Sequence, residues 1–343
     1  MTIQASELKF YRSLVASDQT SNGGLMSTTE IATGVKNNIW PDVPQSERSA
    51  GSTKYRKAFL KVASADNLAL IDARIFVETP TPGGDRVLFC AGTQTDTQAN
   101  LTGTERLYGT GGLDTNASAG ATTITVNTEG GSGDGAFANG DLIRISDKVT
   151  IDAVSGNAEF IRLAATNAVS WNGTKATLTF AAGQSLTNSY VAASTRVASV
   201  WEAGTIRGAV DTWSISSSAG TYGGWSGTGN PPAGVTTDAI GSIEQTWTIT
   251  FTSASAFTCV GDSVGSVGGG NRTTDFAPNN ADFSRQHFTL PASGWGGTWA
   301  TGEMISFKTH PASVALWQKR IIPPNTASLP GDKVIIGVSG ESE

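Results

Sequence analysis

Charge is scarce in this chain of 343 residues: Asp, Glu, Lys and Arg together make up 15%, and they sum to −6 with a pI near 5.1. No general positive field exists to attract a phosphate backbone or an anionic membrane, so nucleic acid is not expected as a specific partner. Only two cysteines occur, Cys90 and Cys259, with no Cys or His at metal-ligand spacing beside them. They read as small buried hydrophobes, and no metal or cofactor is expected. The amino-terminal MTIQASELKFYRS carries no apolar run behind basic residues, and nowhere do about 18 apolar residues follow one another. The expectation is a protein made in the cytoplasm, without membrane insertion.

What is abundant is glycine, 41 residues, alongside 38% apolar residues and much Ser, Thr, Ala and Asn. That mixture suits short strands joined by many turns and does not suit a helical bundle. The length allows two or three packed units. The predicted fold is mainly β: several small β-sandwich or β-barrel domains with one or two short helices. The predicted boundaries are an N-terminal β-rich assembly domain over 1–106, a small barrel or sandwich over 107–200, and a Gly/Trp-rich β domain over 201–343.

Along the chain, the stretch Leu8 to Val15 fits a strand or a helical turn equally well. Ser27-Thr28-Thr29-Glu30 has capping-box spacing and predicts a short helix from about Thr28 to Lys36, stopped by Trp40-Pro41. The run from Lys54 to Val62 alternates as a strand, with Arg56, Ala58, Leu60 and Val62 on one face and Tyr55, Lys57, Phe59 and Lys61 on the other. Its basic cluster, Arg48, Lys54, Arg56, Lys57 and Lys61, is either a solvated strand face or a subunit contact that grips an acidic partner. Asp72 to Thr79 and Arg86 to Cys90, split by Pro80-Thr81-Pro82-Gly83-Gly84-Asp85, predict a hairpin. In the middle third, strands are predicted at 121–127, 142–146, 159–163, 175–180 and 196–200, with Asn172-Gly173 as a type I′ turn. In the last third, strands are predicted at 212–216, 245–252, 286–290, 304–308 and 333–338, and one helical turn over His310 to Trp317.

One pattern occurs twice. Phe137-Ala-Asn-Gly140-Asp141-Leu-Ile143-Arg-Ile145 and Trp299-Ala-Thr-Gly302-Glu303-Met-Ile305-Ser-Phe307 share aromatic, Ala, small polar, Gly, acid, apolar, Ile, polar, apolar. Glycine permits the positive φ of a turn, the acid bonds the turn's amides, and alternate apolar residues enter a core. A strand-like segment precedes each copy, so a repeated two-strand unit is one reading and chance similarity the other.

Catalytic look-alikes are weak. Gly261-Asp262-Ser263-Val264-Gly265 fits G-x-S-x-G, but a nucleophile elbow must run into a helix, and three consecutive glycines at 268–270 oppose one by about 1 kcal/mol each. Asp262, Asp275, Asp282 and Glu303 form no pair by spacing. Glycine-rich segments near 109–112 and 130–135 lack the Lys-Ser/Thr of a phosphate loop. Tryptophans crowd the second half. Among them Trp225, Trp295 and Trp299 serve a core, a subunit interface or a glycan-stacking platform.

The phrases STTEI (27–31), KNNIWPDVPQSERSAGSTKYRKAFLK (36–61), GTQTDTQ (92–98), TGTERLYG (102–109) and HPASVALWQKR (310–320) resemble a family of virion structural proteins of tailed bacteriophages and prophages of proteobacteria. The resemblance spans most of the chain and carries no catalytic residues. It implies a non-enzymatic structural subunit of the tail, in the tube, tip, baseplate or neck. Such a subunit sits in the virion after assembly in the host cytoplasm and forms a ring with identical subunits and other tail proteins. Partner subunits would then cover exposed strand edges, and acidic walls would let DNA pass without adhering. The alternative is a receptor- or carbohydrate-binding protein of the tail tip.

Overall fold

A computed structural model describes residues 2–229 and 234–343. The chain is mainly β, built from several antiparallel sheets with, among the described residues, one short α-helix, Gln45–Ala50. The first sheet runs in the order Gly23–Glu30, Leu8–Val15, Ser52–Val62, Ser313–Ile322, Arg86–Ala91. Its inner face, Ala58, Leu60, Val62, Phe89 and Leu316, packs on Leu70, Ala73, Ile75 and Val77 of the Leu70–Thr79 strand and on Ile206. That opposing strand lies between Arg196–Ile206 and Ile335–Ser342. The result is a sandwich in which every second residue of each strand enters one shared apolar layer.

The middle of the chain forms a barrel. Thr123–Asn127 pairs with Lys175–Thr179 and with Thr110–Leu113, which in turn pairs with Arg196–Ile206. Arg196–Ile206 pairs on with Leu142–Ser146, and that strand with Ala158–Arg162. A bridge between Leu163 and Phe180, with the Ala181 amide donating to Arg162 O at 2.8 Å, closes the ring. Closure removes free edges and encloses Val126, Ile143, Ile145, Ile161, Leu163, Leu178 and Val197. The Arg196–Ile206 strand is longer than the barrel needs. Its second half leaves the barrel and pairs with Leu70–Thr79 in the sandwich.

The third body has a six-stranded sheet in the order Thr228–Gly229, Ala209–Ser216, Met304–His310, Gln245–Phe251, Ala256–Gly261, Gly265–Asn271. Ile215, Ile305, Ile249 and Cys259 stand side by side across four strands, with Trp247 opposite Phe307 in the next row. Tyr222 and Phe288 cover that face from short two-stranded sheets, and Phe276, Leu290 and Trp299 from the segments beside them.

Several expectations need correction. Residues of the Thr28–Lys36 segment begin in a strand, Gly23–Glu30, because Ser27 Oγ donates across to Arg12 O at 2.9 Å instead of capping a helix. The helix comes later, behind Pro44. His310 to Trp317 is not a helical turn: Ser313–Ile322 is a strand, held on one side by Ser52–Val62 and on the other by Arg86–Ala91. Leu70–Thr79 and Arg86–Ala91 both form but do not pair, since residues 80–85 cross from one layer of the sandwich to the other. The 201–343 segment is not one unit either. Its last two strands, Ser313–Ile322 and Ile335–Ser342, complete the sandwich of the N-terminal third.

Candidate interaction surfaces

The basic strand is where the structure departs furthest from a surface patch. Ala58, Leu60 and Val62 face the sandwich core as alternation requires, but the opposite face is covered as well, by loops at 93–100, 238–244 and 280–287. Lys57 is buried: its Nζ forms an ion pair with Asp96 Oδ1 at 2.6 Å and donates to Gly24 O at 2.7 Å. Trp317 Nε1 donates to the other oxygen of Asp96 at 2.8 Å. Lys61 is 0% exposed, donates to Ile240 O at 2.5 Å, and lies 4.2 Å from the Phe283 ring centroid. Burial pushes its amine down to about 8. Arg56 is buried against Trp40 and pairs with Asp18. These three side chains therefore cannot serve as an outward subunit contact. Arg48 and Lys54 keep partial exposure, and Lys54 is paired with Asp18 and Glu47. The sequence signal that could have revealed the burial is Phe59, an aromatic between two lysines on what would otherwise be the wet face.

The aromatic candidates separate in the same way. Trp299 is 3% exposed and stacks on Phe251 with ring centroids 4.3 Å apart, so it is core and not a glycan platform. Trp295 is half-buried edge-on to Tyr222 at 4.7 Å. Trp225 is 39% exposed, in a tight turn whose amide donates to Tyr222 O at 2.9 Å.

The G-x-S-x-G look-alike is a hairpin: Ala256–Gly261 turns through Asp262 to Val264 into Gly265–Asn271. No helix follows, and Ser263 is bonded to Gln245. Among the described residues no hydrogen bond joins Ser263 to either histidine. His287 is buried against Trp247, which pushes its imidazole down to about 4. His310 lies between Glu244 at 2.8 Å and Asp211 at 3.1 Å, and its imidazole is raised, first by its hydrogen bond to Glu244. Asp262, Asp275 and Glu303 bond the amides of Thr246, Ala292 and Ala300 in separate turns. Both cysteines are buried, and burial pushes each thiol up to about 12.

The repeated pattern has one geometry. Gly140 and Gly302 take φ of +77° and +90°. Asp141 accepts from the Ala138 amide at 2.7 Å, and Glu303 from the Ala300 amide at 2.9 Å. The acid's carbonyl then accepts from Leu163 at 2.8 Å in one copy and from Phe251 at 2.9 Å in the other. Strands Leu142–Ser146 and Met304–His310 start from these turns with equivalent pairings, Leu142 to Arg162 and Met304 to Thr250. The segments preceding the copies are not part of the unit, since Thr123–Asn127 and Phe288–Thr289 pair elsewhere.

Among the surfaces open to a partner are a strand edge and a sheet face of the third body. Among the described residues Gly265–Asn271 pairs on one side only, and it carries no charged residue. Beside it the outer face of the sheet presents Thr248, Thr250, Thr258 and Ser306 around exposed Val260 and Met304. A scan against family models finds no match, and searches of curated proteins and of solved structures find no significant similarity.

Proposed function

We propose that this chain is a non-enzymatic structural subunit of a bacteriophage tail, acting by assembly with copies of itself and with other tail proteins. Its resemblance to virion structural proteins motivates the reading, and the open edge at Gly265–Asn271 is the observation that carries it. Native monomers guard such an edge with Lys, Pro or a covering segment, because unpaired amides and carbonyls recruit further strands. Here seven uncharged residues, four of them glycine, lie open beside exposed Val264, which suits a chain whose neighbour in an assembly supplies the covering strand. Purified protein is expected to form rings or larger assemblies in negative-stain microscopy and on gel filtration. Val264→Lys with Ser266→Lys should shift the population towards monomer while leaving the circular dichroism unchanged. A wild-type protein that stays monomeric at high micromolar concentration counts against the reading.

The alternative, a receptor- or glycan-binding protein of the tail tip, is left with Trp225 as its exposed aromatic, Trp299 being core. Glycan or host-cell binding that disappears in Trp225→Ala would favour it.

A further inference from the structure

Two carboxyl groups meet where residues 80–85 cross between the sandwich layers and residues 323–334 return to the central strands. Asp85 is 3% exposed, and its Oδ2 accepts from Arg320 Nε at 2.5 Å. Asp332 lies against Gly83, where an added methyl group would collide with its carboxylate. Oδ1 of Asp85 and Oδ1 of Asp332 are both buried, and neither has a hydrogen-bond donor among the described residues. Two adjacent carboxylates with orphan oxygens repel each other and forgo solvation, unless one is protonated and donates to the other.

The surrounding charges do not remove the conflict. Arg320 serves Asp85 from the Ser313–Ile322 strand, while Arg86, on the far side, is paired with Asp134 beside Glu129. Lys333, next in sequence, is exposed. Burial first, and the neighbouring Asp85 second, push the Asp332 carboxyl up to about 6. A divalent cation would have to sit beside the Arg320 guanidinium with only two carboxylates to hold it, which favours a proton as the occupant.

We propose that Asp85 and Asp332 share one proton, and that this proton latches the 323–334 connection onto the 80–85 crossing and releases it when lost. The connection leads directly into Ile335–Ser342, the edge strand of the central sheet, so release loosens the start of that edge.

The test is hydrogen exchange on the full chain, corrected for intrinsic rates, with an NMR titration of the Asp332 carboxyl. Protection over 80–85 and 326–334 should fall roughly tenfold or more between about pH 5 and about pH 7.5, because the ratio of ionised to protonated carboxyl rises about tenfold with each step of one in pH. In Asp332→Asn, whose side-chain amide donates at every pH, protection should persist and lose its pH dependence. Gly83→Ala, which displaces Asp332, should give low protection at both pH values. The proposal is overturned if Asp332 titrates in the ordinary carboxylate range, or if Asp332→Asn keeps the wild-type pH profile. It is also overturned if millimolar calcium chloride restores protection at the higher pH, which would assign the oxygens to a cation.

Discussion

At the scale of the residue, Lys61 shows how far burial can depart from composition. A lysine on an alternating strand ordinarily extends its charge into water, yet here the amine is enclosed by the carbonyls of Ile240 and Ser242 and the ring of Phe283. Those segments come from the third body, so one side chain ties the first sheet to a part of the chain almost 180 residues away. Because burial lowers the amine in the folded state, the unfolded chain binds more protons between about pH 8 and the ordinary lysine range. Stability should therefore rise with pH across that window. Replacing Lys61 by Met removes this titration, so wild type should gain on Lys61→Met by on the order of 3 kcal/mol from pH 8 upwards, read by urea unfolding at several pH values. Equal pH slopes for the two proteins would show that the amine is not held as described. The strand itself and its two faces were legible in the alternation of Arg56 to Val62. That both faces are dry was not, because the covering loops lie at 93–100 and beyond 237.

At the scale of the element, the glycine-acid turn is the part of this protein most fully written in local sequence. Aromatic, Gly, acid and alternating Ile suffice to predict a turn, its hydrogen bond and the strand that follows, and both copies take the same form. What the pattern does not encode is the partner: Ala158–Arg162 follows the first copy, whereas Gln245–Phe251 precedes the second. An added Cβ at Gly140 or Gly302 meets nothing within 4 Å, so the cost of a side chain there is the backbone conformation alone. Gly140→Ala and Gly302→Ala should each cost about 1–2 kcal/mol in chemical unfolding, with Asn at Gly140 recovering part of the loss. A loss near zero would mean that the turn relaxes and is not the anchor of its strand. The capping-box reading of Ser27 to Glu30 failed at this same scale. Its four residues satisfy a helix start or a hydroxyl-to-backbone bond across strands, and only the neighbouring Leu8–Val15 strand selects the second.

At the scale of the whole molecule, the chain closes on itself. Ser313–Ile322 lies inside the first sheet, between Ser52–Val62 and Arg86–Ala91, with Leu316 in the sandwich core and Trp317 buried on the other face beside Lys57. The first sheet is thus incomplete until most of the protein exists. A chain ended at Pro311 should be insoluble or lack a cooperative unfolding transition, since it exposes the Ser52–Val62 and Arg86–Ala91 edges together. Supplying residues 312–343 as a separate peptide should restore solubility, and a soluble, cooperative 1–311 fragment would contradict this account. By itself the sequence determined the β class, most strand positions and the repeated turn, because alternation and turn chemistry act over a few residues. It placed a type I′ turn at Asn172-Gly173, but Asn172 pairs with Lys175, so the hairpin turns through Gly173-Thr174 and only Gly173 takes positive φ. Tertiary structure alone decided which strands pair, where the barrel closes, why three basic side chains lie inside, and that Asp85 meets Asp332. Those outcomes depend on segments up to hundreds of residues apart burying their apolar faces together, and no local pattern records that choice.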